Sequence, residues 1–296
     1  MALSVNTNAG AMAALQSLNA TNKSMNTVQS RINTGFNVAS TKDDSAKYTV
    51  AQTLRGDLGK LSSVTSSLNN AKSVTDTAVA GAEQISDILN QMKSKSAEAE
   101  DAGLDVESRK AISKDLVALK KQIGTIIDGS DFNGTNLLKD GATAPAVDGT
   151  VSALQSIAKG TETLSVANQG YTTKAEAAFG AWGAAADNTA ITAIEDADPA
   201  VSSQAAKDLS TDLDTFFGEV KTSLSELGAA SRQIDGQLGF NSKLTDVVTS
   251  GIGNLVDADL AKESAKLQAL QVQQQLGTQA LSIANQAPQT ILSLFR

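Results

Sequence analysis

Two groupings of side chains in this chain have residue types suited to acid/base or metal chemistry: the adjacent carboxylates Asp43-Asp44, and the oxygen-rich turn from Gly129 to Gly134. Acid/base work needs two carboxyls converging on one proton, and a hard cation needs several oxygens around one point. Neighbours on a helix point about 100° apart, so Asp43 and Asp44 do not converge. Behind Ser40-Thr41-Lys42 they stand where helix N-caps and first-turn charges belong. The turn Gly129-Ser130-Asp131-Phe132-Asn133-Gly134 has the middle of a calcium loop, but Gly129 replaces the first-position carboxylate and Asp140 stands where a bidentate glutamate is required. Asn133-Gly134 predicts a hairpin instead.

The acidic group Glu98, Glu100 and Asp101 reads as a solvated helix end, and no Gly-rich phosphate loop is present. Glycosylation sequons begin at Asn19, Asn22 and Asn133; such triplets arise often by chance, and the first two fall in a predicted helix. There is no His and no Cys in the 296 residues. Hydrolases with a His base, thiolate chemistry, disulfides and ordinary zinc sites are therefore excluded. No enzyme activity, catalytic residue, metal or cofactor is expected.

The composition favours long helices as the elements that position these side chains. Aromatics make up 3% and proline occurs only at Pro145, Pro199 and Pro288. A formal net charge of -8 and a pI near 4.7 argue against nucleic-acid and anionic-membrane partners. No apolar run is long enough to span a bilayer, and the start lacks the basic and apolar regions of a cleaved secretion signal.

The first helix carries a narrow heptad seam, with Ala11, Leu18, Met25 and Ile32 on one position and Ala14, Thr21 and Val28 on its companion. So thin a seam cannot offset the ordering entropy by itself, and the segment is expected to be mobile until partnered. Asn33-Thr34-Gly35-Phe36-Asn37 ends it. From Leu54 the heptad becomes long and regular: Leu61, Leu68, Thr75, Ala82 and Leu89 alternate with Val64, Ala71, Ala78, Ile85 and Met92. This predicts a helix beyond ~70 Å at 1.5 Å per residue. After Ala102-Gly103 a third helix carries Ile112, Leu116, Leu119, Ile123 and Ile126, returning antiparallel.

Residues 139 to about 200 hold little period and read as a small outward excursion of short strands and turns. Helical pattern resumes near Ser202, with breaks expected at Gly236, Gly239 and Gly251-Gly253. The last helix carries Leu260, Leu267 and Leu281, with Leu270 and Ala284 on the companion position and glutamines around them; Pro288 is expected to end it before the apolar tail Ile291, Leu292, Leu294 and Phe295. The fold class is mainly α: a long antiparallel helical rod and a terminal coiled coil, with a small irregular or β outer segment. Both apolar, charge-poor ends read as partner surfaces.

The chain resembles the bacterial flagellins. The resemblance rests on Val5-Asn6-Thr7-Asn8, on Arg31-Ile32-Asn33-Thr34-Gly35 with Ala39 to Ala46, on Asp131-Phe132-Asn133-Gly134-Thr135-Asn136-Leu137-Leu138, and on Ala284 to Gln289 with Leu292 to Arg296, all in family order. It implies a folded-back chain of five segments: 1–43, the N-terminal half of an inner coiled coil; 44–138, the N-terminal half of a rod; 139–201, a small outer segment; 202–252, the C-terminal half of the rod; 253–296, the C-terminal half of the coil. The implied function is a structural subunit that polymerises into the flagellar filament for swimming, with terminal segments that fold on assembly. The implied packing residues are Leu18, Met25, Ile32, Leu260, Leu267, Leu270, Leu281 and Phe295.

The resemblance also implies further partners: the flagellar export apparatus and an export chaperone, the hook-filament junction and cap proteins. Localisation would be extracellular, in the filament, without a cleaved signal peptide. The stretch Leu89 to Ala97 holds Gln91, Ser94 and Lys95 where many relatives carry an Arg- and Leu-containing patch for an innate-immune receptor, so weak receptor recognition is expected. The nearest alternative is a hook-filament junction protein. A family member with a metalloprotease insert would need a His-Glu-x-x-His helix, which a chain without His cannot form. A cytosolic coiled-coil adaptor would need the ordered terminal matches to be accidental.

Overall fold

The computed structural model describes residues 8–140, 149–155, 163–180 and 188–294. The chain divides into two compact units, one of Met1–Gly59 with Thr245–Arg296 and the other of Lys60–Leu244.

The second unit is built from parts of α2 (Ser45–Ala99) and α6 (Pro199–Val256) and the whole of α3 (Val106–Gly129). All ten heptad residues from Leu61 to Met92 are buried. A 3.5-residue repeat keeps one stripe facing a partner along the helix, which explains why this pattern reads correctly from sequence. Both partners run antiparallel to α2. The Lys95 ammonium lies 3.6 Å from Asp115 on α3, while Ser96 donates to the carbonyl of Ala206 at 2.9 Å and Lys72 pairs with Asp235 on α6. Ile112, Leu116 and Ile123 of α3 are buried as expected, and Leu119 and Ile126 pack at the edge of the same core.

The Asn133-Gly134 dipeptide makes the expected hairpin between β1 (Asp131–Phe132) and β2 (Thr135–Asn136), with both turn residues at positive φ. Asn136 then anchors the next stretch of chain. Its side-chain nitrogen donates to the carbonyl of Ile127 at 2.6 Å, and its side-chain oxygen accepts from the backbone N–H groups of Leu138 and Lys139, with Leu137 and Leu138 seated in the core. Beyond it come the antiparallel pair β3 (Val151–Leu154) and β4 (Thr163–Val166), helix α4 (Tyr171–Phe179), and the short α5 (Thr189–Thr192) running into a 3-10 turn. The excursion thus has more helix than expected. Tyr171 and Phe179 are fully buried, each edge-on to Phe216 with ring centres 5.9 and 5.8 Å away.

The first unit holds α1 (Ala9–Thr34) and α7 (Leu260–Leu294), with the neighbouring ends of α2 and α6. Gly35, at φ +73°, closes α1 in the left-handed conformation, its N–H donating to the carbonyl of Arg31. Asn37 and Val38 donate to the carbonyl of Val256, and Ala258 donates to that of Gly35. A small apolar cluster of Val38, Ala51, Ile252 and Val256 sits beneath this clasp.

The expected breaks in α6 and the expected stop in α7 are absent. α6 runs unbroken through Gly236, Gly239, Gly251 and Gly253. Each glycine costs about 1 kcal/mol against alanine, whereas each buried anchor such as Ile234 or Val256 contributes roughly 1.5–3 kcal/mol. α7 likewise continues past Pro288 to Leu294. Proline has no N–H for the carbonyl four residues earlier, that of Ala284, and this carbonyl instead accepts from the Asn8 side-chain amide at 2.7 Å. A contact from the other end of the sequence fills the gap.

Candidate functional site

The groupings first considered for chemistry are structural. Asp43 accepts from the backbone of Ala39 and Ser40 and from the Ser40 hydroxyl, and these hydrogen bonds, Ser40 foremost, hold its carboxyl below the usual range. Asp44 caps α2 by accepting from Lys47 at 3.0 Å. Asp140 does the same for α4, accepting from the backbone and hydroxyl of Thr173. Asp131 accepts from Gly134 within its own hairpin. Among the described residues no group of three or more acidic side chains is arranged to hold a metal ion.

The feature left without an internal explanation is the pair α1 and α7. They run antiparallel: Asn8 meets Ala284, Leu18 packs over Gly277, Asn22 meets Gln274 and Arg31 meets Glu263. On α1 the seam residues are the least exposed of the helix, with Thr21 and Val28 buried and Leu18, Met25 and Ile32 half-buried. On α7 the corresponding line is Glu263, Leu267, Leu270, Gln274, Gly277, Leu281 and Ala284, alternating four and three residues apart. Leu270 is buried, while Leu267 and Leu281 are half-buried. Leu260, expected on this line, is 50% exposed in the first turn of α7. Phe295 lies outside the described residues.

Sequence reading missed the polar members of the seam. Glu263 is 7% exposed, and its carboxylate lies 3.4 Å from the Arg31 guanidinium. Gln274 donates to the side-chain oxygen of Asn22 at 2.8 Å. The signal was present in the spacing, because the four-three alternation passes through Glu263 and Gln274. Attention to leucines alone skipped them.

Sequence reading also missed a second apolar face. Val272, Leu276 and Ile283 are 56%, 62% and 64% exposed, and at helical spacing they lie roughly opposite the seam of α7. Met12 and Leu15 of α1 are exposed as well. A helix apolar on two faces, with one partner, has one face left to cover. Beside the coil, an open groove of about 550 Å³ is lined by amide and hydroxyl groups including Asn19, Asn26, Thr27 and Ser30. That lining, which also holds Lys23, Arg31 and Asp43, suits hydrogen bonding to another polar surface.

No helix among the described residues is long and apolar enough to cross a membrane. Residues 5–143 match the bacterial flagellin N-terminal helical region, and residues 211–295 match the bacterial flagellin C-terminal helical region. The chain is 41% identical over 293 residues to flagellin FljK of Caulobacter vibrioides, covering 99% of this chain and 98% of the relative. It is 35% identical over 300 residues to a flagellin of Brucella melitensis, covering 99% of each. A crystal structure of Bacillus cereus flagellin is similar over 58% of this chain and 86% of that one, with a TM-score of 0.47 and 22% identity. These full-length matches favour a filament subunit over a junction protein. With both helical regions matched in order, the chain belongs to the bacterial flagellin family, structural proteins that self-polymerise into the flagellar filament.

Proposed function

We propose that the α1–α7 coil is the part of the subunit that packs at the centre of the filament, and that the back face of α7 is its contact with a second copy. The observation that carries this reading is the exposure of Val272, Leu276 and Ile283 opposite a seam that is already occupied. Burying a leucine-sized side chain contributes roughly 1.5–3 kcal/mol, so a repeated contact of this kind offsets the cost of ordering the helices. The thin seam supports coupled folding: the terminal helices order fully when the polymer covers them. In this reading residues 1–43 and 253–296 form the inner coil, 44–138 and 202–252 the surrounding rod, and 139–201 the small outer segment. Residues Leu18, Met25, Ile32, Leu267, Leu270 and Leu281 hold the coil together, and Leu260 and Phe295 belong to its contacts with neighbours.

The same reading takes in the export apparatus, an export chaperone, the junction and cap proteins, and delivery to the cell exterior. Receptor recognition is weak, because Gln91 and Ser94 are exposed uncharged groups and the Lys95 charge is engaged by Glu98 and Asp115. Stimulation of the receptor at ordinary flagellin potency overturns that part.

Seeded polymerisation followed by electron microscopy tests the assembly surface. Leu276→Asp places a charge on the back face and is expected to abolish long filaments while leaving α1 and α7 able to pair. Leu267→Asp places the charge in the seam and is expected to give a soluble, helical chain that neither pairs its ends nor polymerises. Normal filaments from Leu276→Asp refute the back-face assignment, and normal filaments from Leu267→Asp refute the coil.

A further inference from the structure

We infer that three polar rungs, Asn8–Ala284, Asn22–Gln274 and Arg31–Glu263, decide which helix α1 pairs with and in which register. The inference rests on the reading of α1 and α7 as the inner coil and adds the means by which that coil selects its own partner.

The apolar part of the seam cannot make the choice alone. A slide of seven residues would set Leu18 against Leu270 or Ala284 in place of Gly277, still apolar on apolar, so this contact resists a shift through packing alone. Coiled coils with uniform seams slip or swap partners, and a polar residue placed in the seam penalises every arrangement that leaves it unpaired. Here each rung is polar on both sides. Gln274 donates to Asn22 at 2.8 Å, near the middle of the coil. At one end Glu263, almost fully buried, meets Arg31 at 3.4 Å. At the other, Asn8 donates to the carbonyl of Ala284 at 2.7 Å, the carbonyl that Pro288 cannot serve.

A slide of one heptad breaks all three together. Arg31 would leave Glu263 charged and enclosed, the Asn22 amide would face Leu267 or Leu281 in place of Gln274, and the Ala284 carbonyl would lose its donor. Unpaired polar groups in such positions cost far more than the paired groups gain. The rungs therefore act chiefly against wrong pairings, including pairing with α7 of another copy, in a polymer where many identical helices lie side by side.

The absence of cysteine makes the test clean. A Cβ on Gly277 would stand 3.9 Å from that of Leu18, inside the spacing of about 3.5–4.5 Å that a disulfide needs. The reporters are Leu18→Cys with Gly277→Cys for the native register, and Leu18→Cys with Leu270→Cys or Ala284→Cys for slides of one heptad either way. Each is oxidised in the full-length chain, before and after seeded assembly. Non-reducing gels separate internal cross-links from cross-links between copies.

In the unaltered background the native pair should cross-link internally and the shifted pairs should lag by about tenfold or more, the factor a charge-assisted hydrogen bond provides. Stripping all three rungs with Asn8→Ala, Asn22→Leu, Gln274→Leu, Arg31→Leu and Glu263→Leu should bring the shifted pairs up to the native yield and add cross-linked dimers. Arg31→Glu alone should do so in part, and the exchange Arg31→Glu with Glu263→Arg should restore the native register. If the stripped chain still cross-links only at the native pair, the rungs do not set the register and the inference is overturned. If the native pair fails in the unaltered background, the coil itself is wrong, a distinct result.

Discussion

Asn8 serves two helices at once: its side-chain oxygen accepts from Ala11 to cap α1, and its side-chain nitrogen donates to Ala284, whose carbonyl lies four residues before Pro288. Asn8→Ala removes a cap worth about 1 kcal/mol and also strands a carbonyl, for a total loss of roughly 1–3 kcal/mol. In a Pro288→Ala background the restored N–H serves Ala284, so the same change should cost only the cap. Thermal melting of the assembled protein, followed by far-ultraviolet circular dichroism across the four-variant cycle, reads the difference. Equal losses in both backgrounds would show that the two residues are not coupled.

Lys120 joins two helix ends in the Lys60–Leu244 unit. Its buried ammonium donates to the carbonyl of Phe179, the last residue of α4, at 2.8 Å and to the side chain of Asn188, the cap position of α5, at 3.1 Å. The charge sits against a helix C-terminus, where a cation is favoured. Lys120→Met keeps the bulk of the stem and removes the ammonium from both acceptors, which should lower stability by about 1–3 kcal/mol in urea titrations. A variant as stable as the parent would show that relief of the buried charge outweighs the two bonds.

Tyr171 makes the protein sensitive to alkali. Burial pushes its hydroxyl up to about 12 from an ordinary value of 10.0, with a partly opposing influence from Ser223. Because the folded state holds the proton more tightly, this contribution is complete below pH 10 and is lost as pH rises from about 10 to about 12. The loss amounts to roughly 2–3 kcal/mol. Tyr171→Phe should remove this part of the pH dependence. Unfolding midpoints measured between pH 9 and 12 that decline identically in both proteins would place the sensitivity elsewhere.

Gly81 is a point of close approach. A Cβ there would fall 2.2 Å from the Ser130 hydroxyl and 2.9 Å from a Leu138 methyl. In an exposed helix Gly→Ala stabilises by about 1 kcal/mol, but here overpacking should reverse the sign, for a net loss of about 1–3 kcal/mol. Adding Ser130→Ala should recover part of it, since the hydroxyl is the nearer obstacle. Chemical denaturation of the single and double variants checks the order, and a stabilised Gly81→Ala would contradict this packing.

The heptad from Leu61 to Met92 was legible because every position on it does one thing, facing a partner along a straight helix. The hairpin at Asn133-Gly134 was legible because positive φ at both residues demands that dipeptide. Helix ends read less well. Glycines in α6 and Pro288 in α7 are strong local signals, yet burial of Ile234 and Val256 and a hydrogen bond from Asn8 override them. The polar rungs escaped notice because amides and charges count as surface residues until a partner helix encloses them.

The sequence by itself determined the class of the protein: long amphipathic helices with a thin apolar stripe at either end. Local spacing sets those properties, since a stripe exists wherever apolar residues recur every three or four positions. Only the tertiary structure decided which apolar face of α7 is spent on α1 and which stays open, and where Arg31, Asn22 and Asn8 find their partners. Those contacts join residues more than 200 positions apart, and their energies depend on what encloses each group, a property no local pattern contains.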